Sequence, residues 1–176
     1  TFRITITVFF ARDFVGAQNI GMLYVYYFAL GLLSVPVWVR LSRLLGKHQA
    51  LCLSFSLIAL IGIAMYFVRP GQTTLFTILF ACKGFCFGAF AYLPMAMIAD
   101  VIDVDTMRTG DARNGSYFSV LGFASKVAHS IGGTALVLLA AIGYDTALGA
   151  VHGPAELGWL AILYAVVPTL ALLAAL

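Results

Sequence analysis

Apolar residues in this chain neither alternate with polar ones nor keep to one helical stripe. They form unbroken runs, and the polar residues collect in the gaps. The runs cover residues 1–11, 19–40, 49–68, 74–99, 115–142 and 157–176. The gaps hold Arg40, Arg43 and Lys47, then Arg69-Pro70-Gly71, the acidic stretch from Asp100 to Asp111, and His152-Gly153-Pro154. Proline–glycine clusters of this kind interrupt helices. A helix needs roughly 20 mostly apolar residues to cross about 30 Å of hydrocarbon. Five runs meet that length, and the first is short enough to be the tail of a truncated helix. The runs are apolar on every face, which excludes amphipathic helices lying along an interface. The expected fold is all-α: a polytopic membrane helix bundle filling residues 1–176, with no soluble domain and no long internal repeat.

Composition supports this reading. Hydrophobic residues make up 62% of the chain and charged residues 10%, with a mean hydropathy of +1.03. A water-soluble fold carries about 25% charged residues. The formal charge of +3 comes from scattered basic residues, not from the basic stripe that nucleic-acid binding requires. Cys52, Cys82 and Cys86 lie inside apolar runs; Cys82 and Cys86 would share a helix face, but no histidine or carboxylate in the sequence neighbourhood completes a zinc set. They read as small packing residues and imply no disulfide framework. The opening TFRITITVFF lacks an initiator methionine and a small-residue cleavage site, so it is not a signal peptide. The last run ends without a Lys or Arg anchor. Both ends are therefore expected to be cut, and the chain to be a fragment.

Charge in the gaps predicts orientation. Connections 40–48 and 100–114 carry five basic residues, against two (Arg12 and Arg69) in the opposite set. The positive-inside rule places the first set in the cytoplasm of a cell (inner) membrane. Gly84 and Gly88, and Gly132 and Gly133, suit close helix contacts in lipid.

Candidate chemistry begins with two lysines inside the runs. At 1.5 Å per residue, Lys83 lies roughly 14 Å and Lys126 roughly 17 Å from the nearer helix end. An ammonium at such depth costs at least ~2.5–3.5 kcal/mol and usually faces a bundle interior or a wet cavity. No Asp or Glu of this chain lies at comparable depth, so the counter-charge must come from a ligand anion or from another part of the protein. His129 shares a helix face with Lys126. Tyr92 joins Lys83, Lys126 and His129 as a candidate substrate contact. In the acidic connection, Asp100 and Asp103 stand one helical turn apart, with Arg108 and Arg113 following. These four are the candidates for an ion-paired cytoplasmic gate, beside the plainer reading of a solvated charged loop. No H-E-x-x-H, no Ser/His/Asp set and no paired midplane carboxylates occur, so an enzyme is not expected. No metal site or cofactor is implied.

The acidic connection also carries a family resemblance. Ala99-Asp100…Asp103, Thr109-Gly110, Arg113, Gly115, Tyr117-Phe118-Ser119 and Lys126 resemble the loop between the tenth and eleventh helices of the glycoside–pentoside–hexuronide:cation symporters. These are the melibiose-permease-like branch of the major facilitator superfamily. Leu41 to His48 is similar to the loop after the eighth helix in that superfamily, and Leu163-Tyr164…Pro168 to its last helix. The pattern departs at Ala112, where many members have arginine, and at Asn114, where many have an acid. The resemblance covers essentially the whole chain and implies the C-terminal six-helix half of a facilitator fold. It implies symport of a glycoside, sugar or uronide with Na⁺ or H⁺ by alternating access. The cation site would lie mainly on a missing N-terminal half. Lys126 would face the central cavity, and Asp100, Asp103 and Arg113 would form the cytoplasmic ion-pair cluster. Lysophospholipid or other anionic-solute transport is the alternative within the superfamily, and a membrane enzyme or structural membrane module the alternative outside it.

Overall fold

The computed structural model describes residues 2–17, 19–111, 113–141, 143–145 and 153–173, and the described residues are helical with no strand. Helix α1 (Phe2–Phe9) runs on through a π turn at Phe10–Phe14. Helices α2 (Ile20–Leu45), α3 (Lys47–Tyr66), α4 (Thr73–Thr109) and α5 (Asn114–Ala141) follow. The last segment is α6 (Pro154–Ala161), a π turn at Ile162–Val166, and α7 (Val167–Leu173). Four of these, α2 to α5, are long and apolar enough to cross a bilayer, and Glu156–Leu170 is a shorter apolar helix.

Helix ends depart from the hydropathy pattern where polar residues continue a helix into water. The run expected to stop at 99 belongs to a helix that continues to Thr109. Its overhang keeps Ile102 buried while Asp100 and Asp103 face outward, so the extension has a single buried apolar anchor. Gly110 ends it at φ 76°, its N–H bonded to the Thr106 carbonyl at 2.9 Å. That left-handed geometry carries a steric cost for any residue with a Cβ. The connection expected over 40–48 shrinks to Gly46 alone, at φ 91°. The last helix starts at Pro154, a residue suited to a first turn, and Glu156 accepts the Gly153 N–H at 3.2 Å.

The closest contact in the bundle joins α2 to α4, and small residues allow it. A Cβ on Gly84 would land inside the van der Waals shell of the Tyr27 carbonyl, and one on Gly88 would collide with the Ser34 hydroxyl. With no net hydrophobic drive between helices in lipid, backbone approach and hydrogen bonds hold such pairs together. Trp38, 1% exposed, donates its indole N–H to the Phe85 carbonyl at 2.9 Å. Elsewhere the π turns meet: Phe10 stacks on Tyr164 with centroids 4.3 Å apart, and Phe76 flanks both. Helix α5 packs mainly on α1, through a narrow stripe of Gly132, Ala135 and Leu139.

Candidate functional site

Lys83 sits on the inner face of α4, 9% exposed, where α2 and the last helix close over it. Its ammonium lies 5.7 Å from the Phe80 ring and 5.9 Å from the Tyr164 ring. A cation over aromatic faces gains electrostatic attraction without a carboxylate. Beside it is a cavity of about 100 Å³ whose walls include Thr7, Tyr24, Tyr27 and Phe87. The local cause is spacing: Phe76, Phe80, Lys83 and Phe87 recur at three and four residues, so one stripe of α4 presents them together.

Lys126 lies elsewhere. It and His129 are exposed on α5, away from the stripe that touches α1. His129 Nδ1 lies 2.6 Å from the Ser125 carbonyl of its own helix. Among the described residues no carboxylate pairs with the Lys126 ammonium. The two lysines thus belong to different surfaces, one enclosed within this bundle and one on an uncovered helix face. Tyr92 is not brought to Lys83. It is half-buried against Trp38, Ala50, Ala89 and Leu93, a second apolar cluster nearer the Asp100 end of α4.

The acidic connection is wired differently from the expected cluster. Asp100 accepts from Lys47 at 2.6 and 2.7 Å, and Lys47 also reaches the Ala96 carbonyl at 3.1 Å. Arg113 pairs with Asp111 at 2.9 Å. Asp103 joins neither pair; with Thr106 and Asn114 it lines an open cleft of about 580 Å³ between the α4 overhang and the start of α5. Arg108 is exposed in the last turn of α4. Asp100, Asp103, Arg108 and Arg113 therefore share one end of the bundle, but no ion pair joins them to one another among the described residues. Lys47, which the sequence does not place in the gate cluster, is the residue that reaches Asp100. Both groups are partly or well exposed, so the pair is worth about 0.2–1 kcal/mol. In a double-mutant cycle on detergent-solubilised protein, Lys47→Ala, Asp100→Ala and the double variant should show nearly equal thermal shifts. Additive losses would show that the two side chains do not interact.

The opposite end holds a polar group that hydropathy does not single out. Asp13 accepts from Arg12 Nη2 at 2.7 Å and from the Tyr144 hydroxyl. Burial, then the Asp13 carboxylate, push the Tyr144 phenol well above its usual value, so it remains a donor at any physiological pH. Nearby, the Gly71 N–H bonds the Val15 carbonyl at 3.3 Å. The connections that follow the first segment, α3 and α5 thus meet at one end, and the Lys47–Asp100 end lies at the other.

Helices long and apolar enough to cross a bilayer, with one lysine enclosed and one exposed in their apolar runs, define a polytopic membrane-helix bundle. Comparison with known proteins assigns the family: the MFS/sugar transport protein family matches residues 1–176, and the chain belongs to it. It is 26% identical over 130 residues to an uncharacterized symporter of Synechocystis sp., an alignment covering 73% of this chain. The aligned part spans 24% of that relative's length. No solved structure matches the chain.

Proposed function

We propose that this chain is the C-terminal half of a cation-coupled symporter that carries a glycoside, sugar or uronide by alternating access with a second six-helix half. The observation that carries the reading is the uncovered face of α5. It presents an ammonium, Lys126, deep within an apolar helix and, among the described residues, without a carboxylate to meet it. Such a face fits a wet pathway shared with another bundle, because lipid would leave the charge unsolvated. The family and the symporter relative support transport of a small solute, and the counter-charge is assigned to the partner half, to the solute or to both. The coupling ion, Na⁺ or H⁺, binds mainly on that other half. Lys83 and its aromatic cavity lie beside the pathway, with Lys83, Lys126 and His129 as solute-side groups. Asp103, Arg108, Arg113 and the Lys47–Asp100 pair sit at the cytoplasmic end of a cell (inner) membrane protein. Tyr92 packs beside Trp38 and Leu93, and the proposed solute site does not draw on it.

The test is uptake by the full-length protein in sealed vesicles, screened with labelled glycosides, sugars and uronides under an imposed Na⁺ or pH gradient. Accumulation above the bath concentration should appear with one gradient and collapse with its ionophore. Equilibration at the same rate with and without either gradient would identify a uniporter instead.

A further inference from the structure

Among the described residues, helix α5 buries only Gly132, Ala135 and Leu139, a narrow stripe on its α1 side. At the Tyr144 end it has a polar attachment as well. Tyr144 is 3% exposed, and its position is set by its own N–H bonding the Leu139 carbonyl at 3.0 Å. From there its hydroxyl donates to Asp13, and its ring meets Phe9 edge-on with centroids 6.0 Å apart. Asp13 is held from the other side by Arg12, whose guanidinium lies 5.6 Å over the same Phe9 ring.

This arrangement is suited to opening. A hydrogen bond to a carboxylate is stronger than one between neutral groups. Yet if Tyr144 leaves, Asp13 keeps Arg12, so no unpaired buried charge is created, which is the usual reason such contacts resist breaking. Release therefore leaves the carboxylate ion-paired while giving up the Tyr144 hydrogen bond and the burial of its ring. We propose that Asp13 and Tyr144 are positioning residues: their hydrogen bond is a clasp that holds α5, and with it Lys126, against α1, and its release lets that end of α5 move away during the transport cycle. The link from α5 movement to transport rests on the function proposed above; the clasp itself does not.

The experiment uses the full-length protein with Ala135→Cys, at a position 0% exposed against α1. Its reaction with a water-soluble maleimide is followed at that peptide by mass spectrometry, which separates it from Cys52, Cys82 and Cys86. Tyr144→Phe should raise the reaction rate about tenfold, the factor that loss of one such bond gives. Asp13→Ala should reproduce the rise from the other side of the contact. Asp13→Asn, whose amide oxygen still accepts from Tyr144 in a weaker neutral bond, should raise the rate clearly less than Tyr144→Phe does. Tyr144→Phe should also lower maximal uptake without moving the half-saturating solute concentration. Equal reaction rates in the parent and Tyr144→Phe overturn the proposal, as does a rise in Asp13→Asn as large as that in Tyr144→Phe. The maleimide reaction needs no solute, so failure of the clasp and failure of the transport reading give different results.

Discussion

Lys126→Leu in the full-length protein is expected to abolish gradient-driven solute accumulation while leaving insertion and folding intact. The second half of that expectation follows from burial. The side chain is exposed and makes no ion pair among the described residues, so its removal breaks no contact within this bundle. On insertion scales leucine is favoured over a mid-helix lysine by roughly 3 kcal/mol. A loss of uptake therefore cannot be ascribed to misfolding. The expected fall in initial rate is about a hundredfold, which corresponds to one lost charge-assisted contact of about 2.7 kcal/mol. Lys126→Arg should recover only part of the rate, because a planar guanidinium keeps the charge but not its point geometry. Counterflow and uphill uptake in vesicles read both variants. Wild-type accumulation by Lys126→Leu would remove this lysine from the solute pathway.

The largest structural effect is expected from Gly84→Leu. At Gly84 the first side-chain atom would overlap the Tyr27 carbonyl, which is helix backbone and cannot rotate away. Overpacking against flexible side chains costs about 1–3 kcal/mol. Against backbone the helices must separate, and separation also strains the Trp38–Phe85 hydrogen bond and uncovers buried Ser34. Gly84→Ala should already lower the yield of monodisperse protein in mild detergent, and Gly84→Leu should reduce it about tenfold or more, the factor for 1.4 kcal/mol. Gly21→Ala is the control, since nothing lies within 4 Å of a Cβ there. It should be neutral or slightly stabilising, because alanine restricts the unfolded chain more than glycine does. Equal yields from Gly84→Leu and Gly21→Ala would contradict the α2–α4 contact.

Much of the architecture is legible without coordinates because lipid imposes a one-dimensional rule. Backbone groups must pair within their own helix, so a long apolar run reads directly as a helix. Helix ends are less legible. The α4 overhang has one buried position, Ile102, and a hydropathy average over Asp100–Thr109 dilutes that signal. Gly46 closes a connection that charge alone suggests is a longer loop. The candidate site divides the same way. Lys83 and Lys126 stand out as rare charges in apolar runs, and one turns inward while the other stays on an uncovered face. Tyr92 looks equivalent to other aromatics of α4, but its position along the helix places it against Trp38. Asp13 and Tyr144 are ordinary polar residues beside helix ends, separated by 131 positions, and no local pattern connects them.

The sequence by itself determined that this protein lives in a bilayer, that it is helical, which family it resembles and which charges stand within apolar runs. Those properties follow from composition and from the spacing of residues along one helix. The tertiary structure alone decided which charge meets which: Lys47 with Asp100, Tyr144 with Asp13, and Lys83 with aromatic rings. Such pairings depend on how helices far apart in the chain rotate and settle against one another, and small residues such as Gly84 set that approach.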